Sequence, residues 1–197
     1  MTEDRSEHPI LALTYTDGPI ADAALRRLWT RLSAAGASCA GLLERDEPIA
    51  GGGARCDMIL DCLSTGQQVR ISEDRGPHAR GCRLDLDGLA QALESEKRAL
   101  LTNPDVLIIN KFGKTESTGG GLRPLISAAM ELEIPILIAV PWRNIENWRL
   151  FAGDLSIERA AETLSADDER DALSAIGLQM PDEAPVSRSA RPDPRTL

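Results

Sequence analysis

The segment 105–121, DVLIINKFGKTESTGGG, constrains the fold of this chain more than any other. Val106, Leu107, Ile108 and Ile109 form a continuous apolar run between Asp105 and Asn110. A strand with one solvated face alternates apolar and polar residues. A run without alternation is the pattern of a parallel strand covered on both faces. The run then breaks into a polar loop with Lys111, Lys114, Glu116 and three consecutive glycines, 119–121. Open α/β sheets bind ligands in the crevice beyond the carboxyl ends of their strands. The loop therefore places charged side chains and bendable backbone where a ligand would sit.

The flanking sequence supports the same class. Residues 10–15 read as a first strand and 21–35 as a helix, with Ala24, Leu25, Leu28, Trp29 and Leu32 on one face and Gly36 as its stop. Residues 38–43 return as a strand, and consecutive parallel strands require such a crossover. Residues 57–63 and 67–71, joined by Ser64-Thr65-Gly66, suit a β-hairpin. Asp85 or Asp87 caps a helix over 88–101; a helix over 122–132 and a strand over 136–140 follow the central run. Beyond Pro141 the pattern weakens: 142–151 reads as a short helix or ordered loop that covers the site, and 156–176 as a region holding one or two short helices. The expected organisation is a disordered leader over 1–8, one α/β domain over 9–178 and a disordered tail over 179–197.

Bulk properties exclude several partners. The chain has 197 residues and a net charge of −9. Such a balance repels nucleic-acid phosphates and anionic membranes, so neither is an expected partner. No apolar run approaches the ~20 residues that cross a bilayer, and residues 1–9 carry no apolar stretch of signal-peptide type. A cytoplasmic location is expected. The four cysteines, Cys39, Cys56, Cys62 and Cys82, include no CxxC pair and read as free thiols in a reducing compartment.

Three constellations bear on chemistry. The turn after the first strand, TYTDGPIAD, lacks the G-x-x-x-x-G-K-[ST] pattern of a phosphate loop; it has one glycine, no lysine and two aspartates, Asp17 and Asp22. The 105–110 run resembles a magnesium-orienting strand, yet Asn110 stands where the usual aspartate would be. Asn110-Lys111 also resembles the start of a guanine-reading N-K-x-D motif, with Gly113 in place of its aspartate. Lys111, Lys114 and Arg123, beside a glycine-lined helix start, suit an oxyanion or phosphate; a solvated basic loop is the bland reading. The loop 72–85 adds Arg75, Arg80 and Arg83, which suit an anion-facing or salt-bridged loop. His78 and Cys82 there fit none of the strong zinc spacings, and no metal site is expected.

The blocks CDMILDCLSTGQQVRISEDRG, GCRLDLDGLA and DVLIINKFGKTESTGGGLRPLISAAMELEIPILIAVP resemble a bacterial domain-of-unknown-function family of P-loop-like proteins. Members of that family occur near molybdate-transport genes, and the family is similar to small nucleoside-triphosphatases. The resemblance spans about residues 10–155. It implies a three-layer α/β fold with a mostly parallel sheet, P-loop-NTPase-like with a degenerate phosphate loop. Lys111, Gly113, Lys114, Glu116, Gly121 and Arg123 match its most specific segment, and Gly81, Cys82, Arg83, Leu84 and Asp85 match its second block.

The resulting expectation is a cytoplasmic binding or regulatory protein for a small anion, a nucleotide or an oxyanion such as molybdate, without conventional hydrolysis. Its expected ligand-binding residues are Asn110, Lys111, Lys114, Glu116, Gly121, Arg123, Arg80, Arg83 and Asp85, converging at the carboxyl ends of the strands. Two alternatives stand beside it. One is a nucleoside triphosphatase with an unconventional phosphate loop, for which Glu116 is the candidate to activate water. The other is a protein–protein adaptor using Trp142, Trp148 and Phe151. The cofactor is left open.

Overall fold

The computed structural model describes residues 9–45, 58–73 and 83–179. The elements in chain order are β1 (Ile10–Tyr15), α1 (Gly18–Ala34), β2 (Cys39–Arg45), β3 (Ile59–Cys62), β4 (Gln68–Arg70), β5 (Ser72–Glu73), β6 (Arg83–Leu84) and α2 (Leu86–Leu100). Then come β7 (Val106–Ile109), α3 (Lys114–Ser117), α4 (Arg123–Glu131), β8 (Ile136–Pro141), α5 (Ile145–Ala152), β9 (Ser156–Ala160) and α6 (Ala166–Ala175). Short 3-10 turns, Trp142–Asn144 and Ala161–Thr163, precede α5 and follow β9.

Among the described residues, seven strands form one sheet in the order β4-β3-β2-β7-β8-β1-β9. β2, β7, β8, β1 and β9 are mutually parallel, while β3 and β4 add an antiparallel hairpin at one edge. β5 and β6 pair separately.

The apolar runs are buried because the pleat divides each between two cores. Leu107 and Ile109 face one layer with Ile10, Ala12, Ile136 and Ile138, against α2, α4 and α5. Val106 and Ile108 face the other with Leu11, Leu13, Leu137 and Ala139, against α1 and α6. All four residues of β7 are inaccessible to solvent. This is a three-layer α/β molecule.

Chain direction explains the two layers. From β1 the chain crosses through α1 toward β2, and from β2 it works back through α2, α4 and α5. Right-handed crossovers running in opposite directions place their helices on opposite faces. The reversal falls between β1 and β8, so the carboxyl ends of that pair flank the topological switch point.

The short helices expected within 156–176 are the 3-10 turn Ala161–Thr163 and α6. The same region also holds an unexpected edge strand, β9, paired with β1. Its sequence, SIERA, has no fully buried residue and no apolar run, so the run pattern misses it. One expectation needs correction: the segment 142–151 does not present an aromatic surface. Trp148 is inaccessible and packs edge-on against Phe112, with ring centroids 5.2 Å apart. Phe151 stacks on Phe112 at 5.6 Å. Of the three aromatics assigned to an adaptor surface, Trp142 alone is exposed. The expected helices, strands and hairpin elsewhere form close to their expected bounds.

Candidate functional site

Strand register assembles the polar floor of the site. β2 and β7 are parallel, with Leu42 opposite Ile109. The residues just beyond that pair, Glu44 on β2 and Asn110 and Lys111 after β7, therefore emerge side by side. Asn110 Nδ2 donates to Glu44 Oε2 at 3.2 Å, and Lys111 Nζ lies 2.8 Å from the same oxygen. Burial pulls the Lys111 ammonium toward a lower pKa, but the bond to Glu44 and its charge outweigh this and hold it above the usual lysine value. Tyr15, at the end of β1, is half-buried; burial raises its hydroxyl pKa and the nearby Lys111 charge opposes that. Arg26 of α1 donates to the Glu44 carbonyl and pairs with Asp61 at 3.1 Å, tying α1 to this end of the sheet.

The loop after Lys111 is organised by one buried carboxylate. Glu116 Oε2 accepts from the Gly113 amide and Oε1 from the Leu122 amide, each at 2.9 Å. Gly113 N–H and Glu116 thereby form the acidic half of a capping box at the start of α3. Gly121 sits at φ +59, and a Cβ there would overlap Glu116 Oε1. Glycine at 121 thus meets both a left-handed backbone and a close carboxylate. The start of α4, read from sequence as an open oxyanion site, is already satisfied: Leu122 N–H goes to Glu116, Arg123 N–H to the Gly120 carbonyl, and Pro124 has no N–H.

A cavity of about 360 Å³ opens over this floor. Its polar lining includes Glu44, Asn110, Lys111, Lys114, Thr115 and Glu116, and its apolar wall is Met58, Leu60, Ile71, Leu84, Leu89 and Leu122. Lys114 is exposed, and its ammonium has no partner among the described residues. Gly121 borders the cavity as well. The remaining expected site residues are placed otherwise. Arg123 lies with its guanidinium 4.2 Å over the Phe151 ring, a cation–π contact, and is not in the cavity lining. The segment 142–151, expected to cover the site, contributes no residue to that lining, because Trp148 and Phe151 pack on Phe112. Asp85 caps α2, its Oδ1 accepting from Asp87 and Gly88 amides at 3.0 and 3.1 Å. Its neighbour Leu84 reaches the cavity, so the end of the 72–85 segment and the 110–122 loop share one wall. Arg80 and the Arg83 side chain lie outside the described residues, as do Arg75, His78, Cys56 and Cys82. Among the described residues no three His, Cys, Asp or Glu side chains group as a metal site. Cys39 and Cys62 are free thiols, and burial together with the Glu96 and Asp61 charges pushes the Cys62 thiol up to about 11.

The turn between β1 and α1, where a P-loop protein cradles phosphate, carries an internal anion instead. Glu162 Oε1 accepts from the Thr16 amide at 2.6 Å, the Thr16 hydroxyl at 3.0 Å and the Asp17 amide at 3.2 Å. The Thr16 amide bond leads the contacts that lower the Glu162 pKa. Sequence reasoning missed Glu162, because it follows the unrecognised strand β9. Glu44 was also missed, although it follows an apolar run just as Asn110-Lys111 does, and that parallel was a usable signal.

The strand order and crevice define a three-layer α/β protein, consistent with a P-loop NTPase-like arrangement, whose phosphate turn is filled by a carboxylate. The chain belongs to the family described as protein of unknown function (DUF2478), whose model matches residues 10–169. It is also 33% identical over 146 residues to the molybdenum import ATP-binding protein ModC 2 of Bradyrhizobium diazoefficiens. That match covers 74% of this chain and 16% of the length of the relative. No solved structure matches the chain. No helix among the described residues is long and apolar enough to cross a membrane.

Proposed function

We propose that this protein is a cytoplasmic binding or regulatory module for a small anionic ligand, of the nucleotide or oxyanion class, and that it does not hydrolyse nucleoside triphosphates by P-loop chemistry. The observation that carries this reading is the cavity at the carboxyl ends of β2 and β7, with Lys111 and Lys114 in its lining. Cavities of this size with mostly apolar walls and a few convergent polar groups are the usual form of small-molecule sites. The name of the Bradyrhizobium relative, a molybdenum import ATP-binding protein, lends support to both ligand classes and to a link with molybdate handling. The triphosphatase alternative is weakened by two features of the chain itself: the β1–α1 turn has no lysine, and its amides hold Glu162. Glu116 is also a poor base for water, since both its oxygens accept backbone amides.

Calorimetric titration of the full chain with ATP, GTP, molybdate and phosphate tests the reading. At least one is expected to bind, and Lys111→Ala is expected to weaken it about tenfold, because it leaves the Glu44 carboxylate in the cavity without its cation to repel the anion. Absence of binding by every member of the panel, or an unchanged affinity in Lys111→Ala, contradicts it.

A further inference from the structure

Resting on that reading, we infer that the cavity selects a nucleoside carrying a single phosphate group, in preference to a nucleoside triphosphate or an inorganic oxyanion. Three properties of its lining lead there: the wall, the charge and one open acceptor.

Six apolar side chains, Met58, Leu60, Ile71, Leu84, Leu89 and Leu122, form the wall. They come from β3 and the residue before it, the residue between β4 and β5, β6, α2 and the residue preceding α4. A bare tetrahedral oxyanion covers none of that surface. Seated against it, the anion would exchange water for hydrocarbon at a high desolvation cost. A flat heterocycle removes apolar area from water on both partners and gains from it.

The charge of the lining then limits the anionic part. Lys111 is committed to Glu44, and Glu116 adds a second carboxylate to the same lining. Lys114 is the one cation in the lining without a partner among the described residues. The amides at the start of α4 add no donors, because they serve Glu116 and Gly120. A triphosphate is ordinarily held by a lysine, a metal ion and a loop of amides together. Among the described residues, one free ammonium suits one phosphate group.

A third feature suits a base. Glu44 uses Oε2 for both Asn110 and Lys111, and its Oε1 accepts nothing among the described residues. Glu44 lines the cavity, so among the described residues that oxygen is an open acceptor, matched to an amino or imino N–H on a heterocycle.

The experiment is competitive calorimetry on the full chain with adenosine, guanosine, their monophosphates and triphosphates, molybdate and phosphate. A monophosphate is expected to bind about tenfold or more tightly than the corresponding triphosphate, molybdate or phosphate. Lys114→Ala, at an exposed position, should weaken the monophosphate about tenfold and leave the unphosphorylated nucleoside unchanged. Leu89→Gln, on the half-buried face of α2, should weaken nucleoside and monophosphate alike. Tighter binding of molybdate or a triphosphate overturns this inference and leaves the anion-binding reading standing. A Lys114→Ala variant with unaltered monophosphate affinity also overturns it. No binding by any probe overturns both.

Discussion

Glu116 and Gly121 show how far one carboxylate can organise a loop. The carboxylate bonds two amides six and three residues away in opposite directions, and the space it occupies is available because residue 121 has no Cβ. Gly121→Ala forces a side chain into left-handed backbone and displaces Glu116 from the Leu122 amide. We expect a loss of roughly 2–3 kcal/mol in urea unfolding, the sum of a backbone penalty and an orphaned buried donor. A loss under about 0.5 kcal/mol, the range of ordinary surface substitutions, would show that the loop is not held this way. Glu96 gives a second prediction. It is inaccessible to solvent, accepts from the Gly41 amide at 2.6 Å and the Ser64 hydroxyl at 2.8 Å, and burial raises its pKa. The native state then keeps a proton that the unfolded chain has released, so stability falls as pH rises from the unfolded value through the folded one. Glu96→Gln removes the titrating group while its carbonyl still accepts from the Gly41 amide. Urea midpoints measured from pH 4 to 8 should decline more in the parent than in the variant; parallel curves would count against the shift.

Pairs of elements, more than single residues, set the position of the cavity. Gly41 lets β2 approach β7: a Cβ there would fall on the Ile108 carbonyl. That approach fixes the register that delivers Glu44 beside Asn110 and Lys111. On the opposite edge, β9 brings the 3-10 turn bearing Glu162 under the β1–α1 turn. A carboxylate whose pKa is lowered in the native state contributes stability above its unfolded pKa, and that contribution is lost as pH falls through the lower folded value. Glu162→Gln should therefore cost about 0.5–1 kcal/mol at neutral pH, discounted for an exposed group, and nothing once the parent carboxylate is protonated below the usual glutamate range. A difference that persists unchanged at pH 2–3 would mean that shape, and not charge, carries the contact. Arg27 and Arg31 converge on the buried Glu169, which joins α1 to α6 on the second face.

Across the molecule, the sheet order brings the β1/β8 switch point and the cavity to the same edge while keeping them apart. β8 lies between β7 and β1, so the cavity belongs to the β2/β7 pair and not to the usual phosphate crevice. With Glu162 on the turn amides and no lysine in that turn, magnesium-dependent phosphate release from ATP or GTP should stay at background. Turnover of ~1 per minute or faster, on the slow side of ordinary enzymes, would reverse that expectation. The parent, Glu116→Gln and Glu162→Gln proteins compared in one assay would then show which carboxylate matters.

Much of this fold was legible in the residues because its strongest signals are local. A two-sided buried strand has to be apolar throughout, so VLII and ILIAV declare themselves, as does the helical stripe of Ala24, Leu25, Leu28 and Leu32. The polar loop after Ile109 and its lysines could be placed at a strand end for the same reason, and both lysines do line a cavity there. Pairing between distant segments leaves no such trace. Nothing in the sequence says that Glu44 will meet Lys111 across 67 residues, that Arg123 will turn to Phe151, or that Glu162 will occupy the β1–α1 turn across 146. Those contacts depend on strand order and register, which the crossovers decide only when the whole sheet is assembled. Sequence thus determined which residues could form the layers and which loops would be polar. Tertiary structure decided which charges cancel, which amides are already taken, and where a ligand has room.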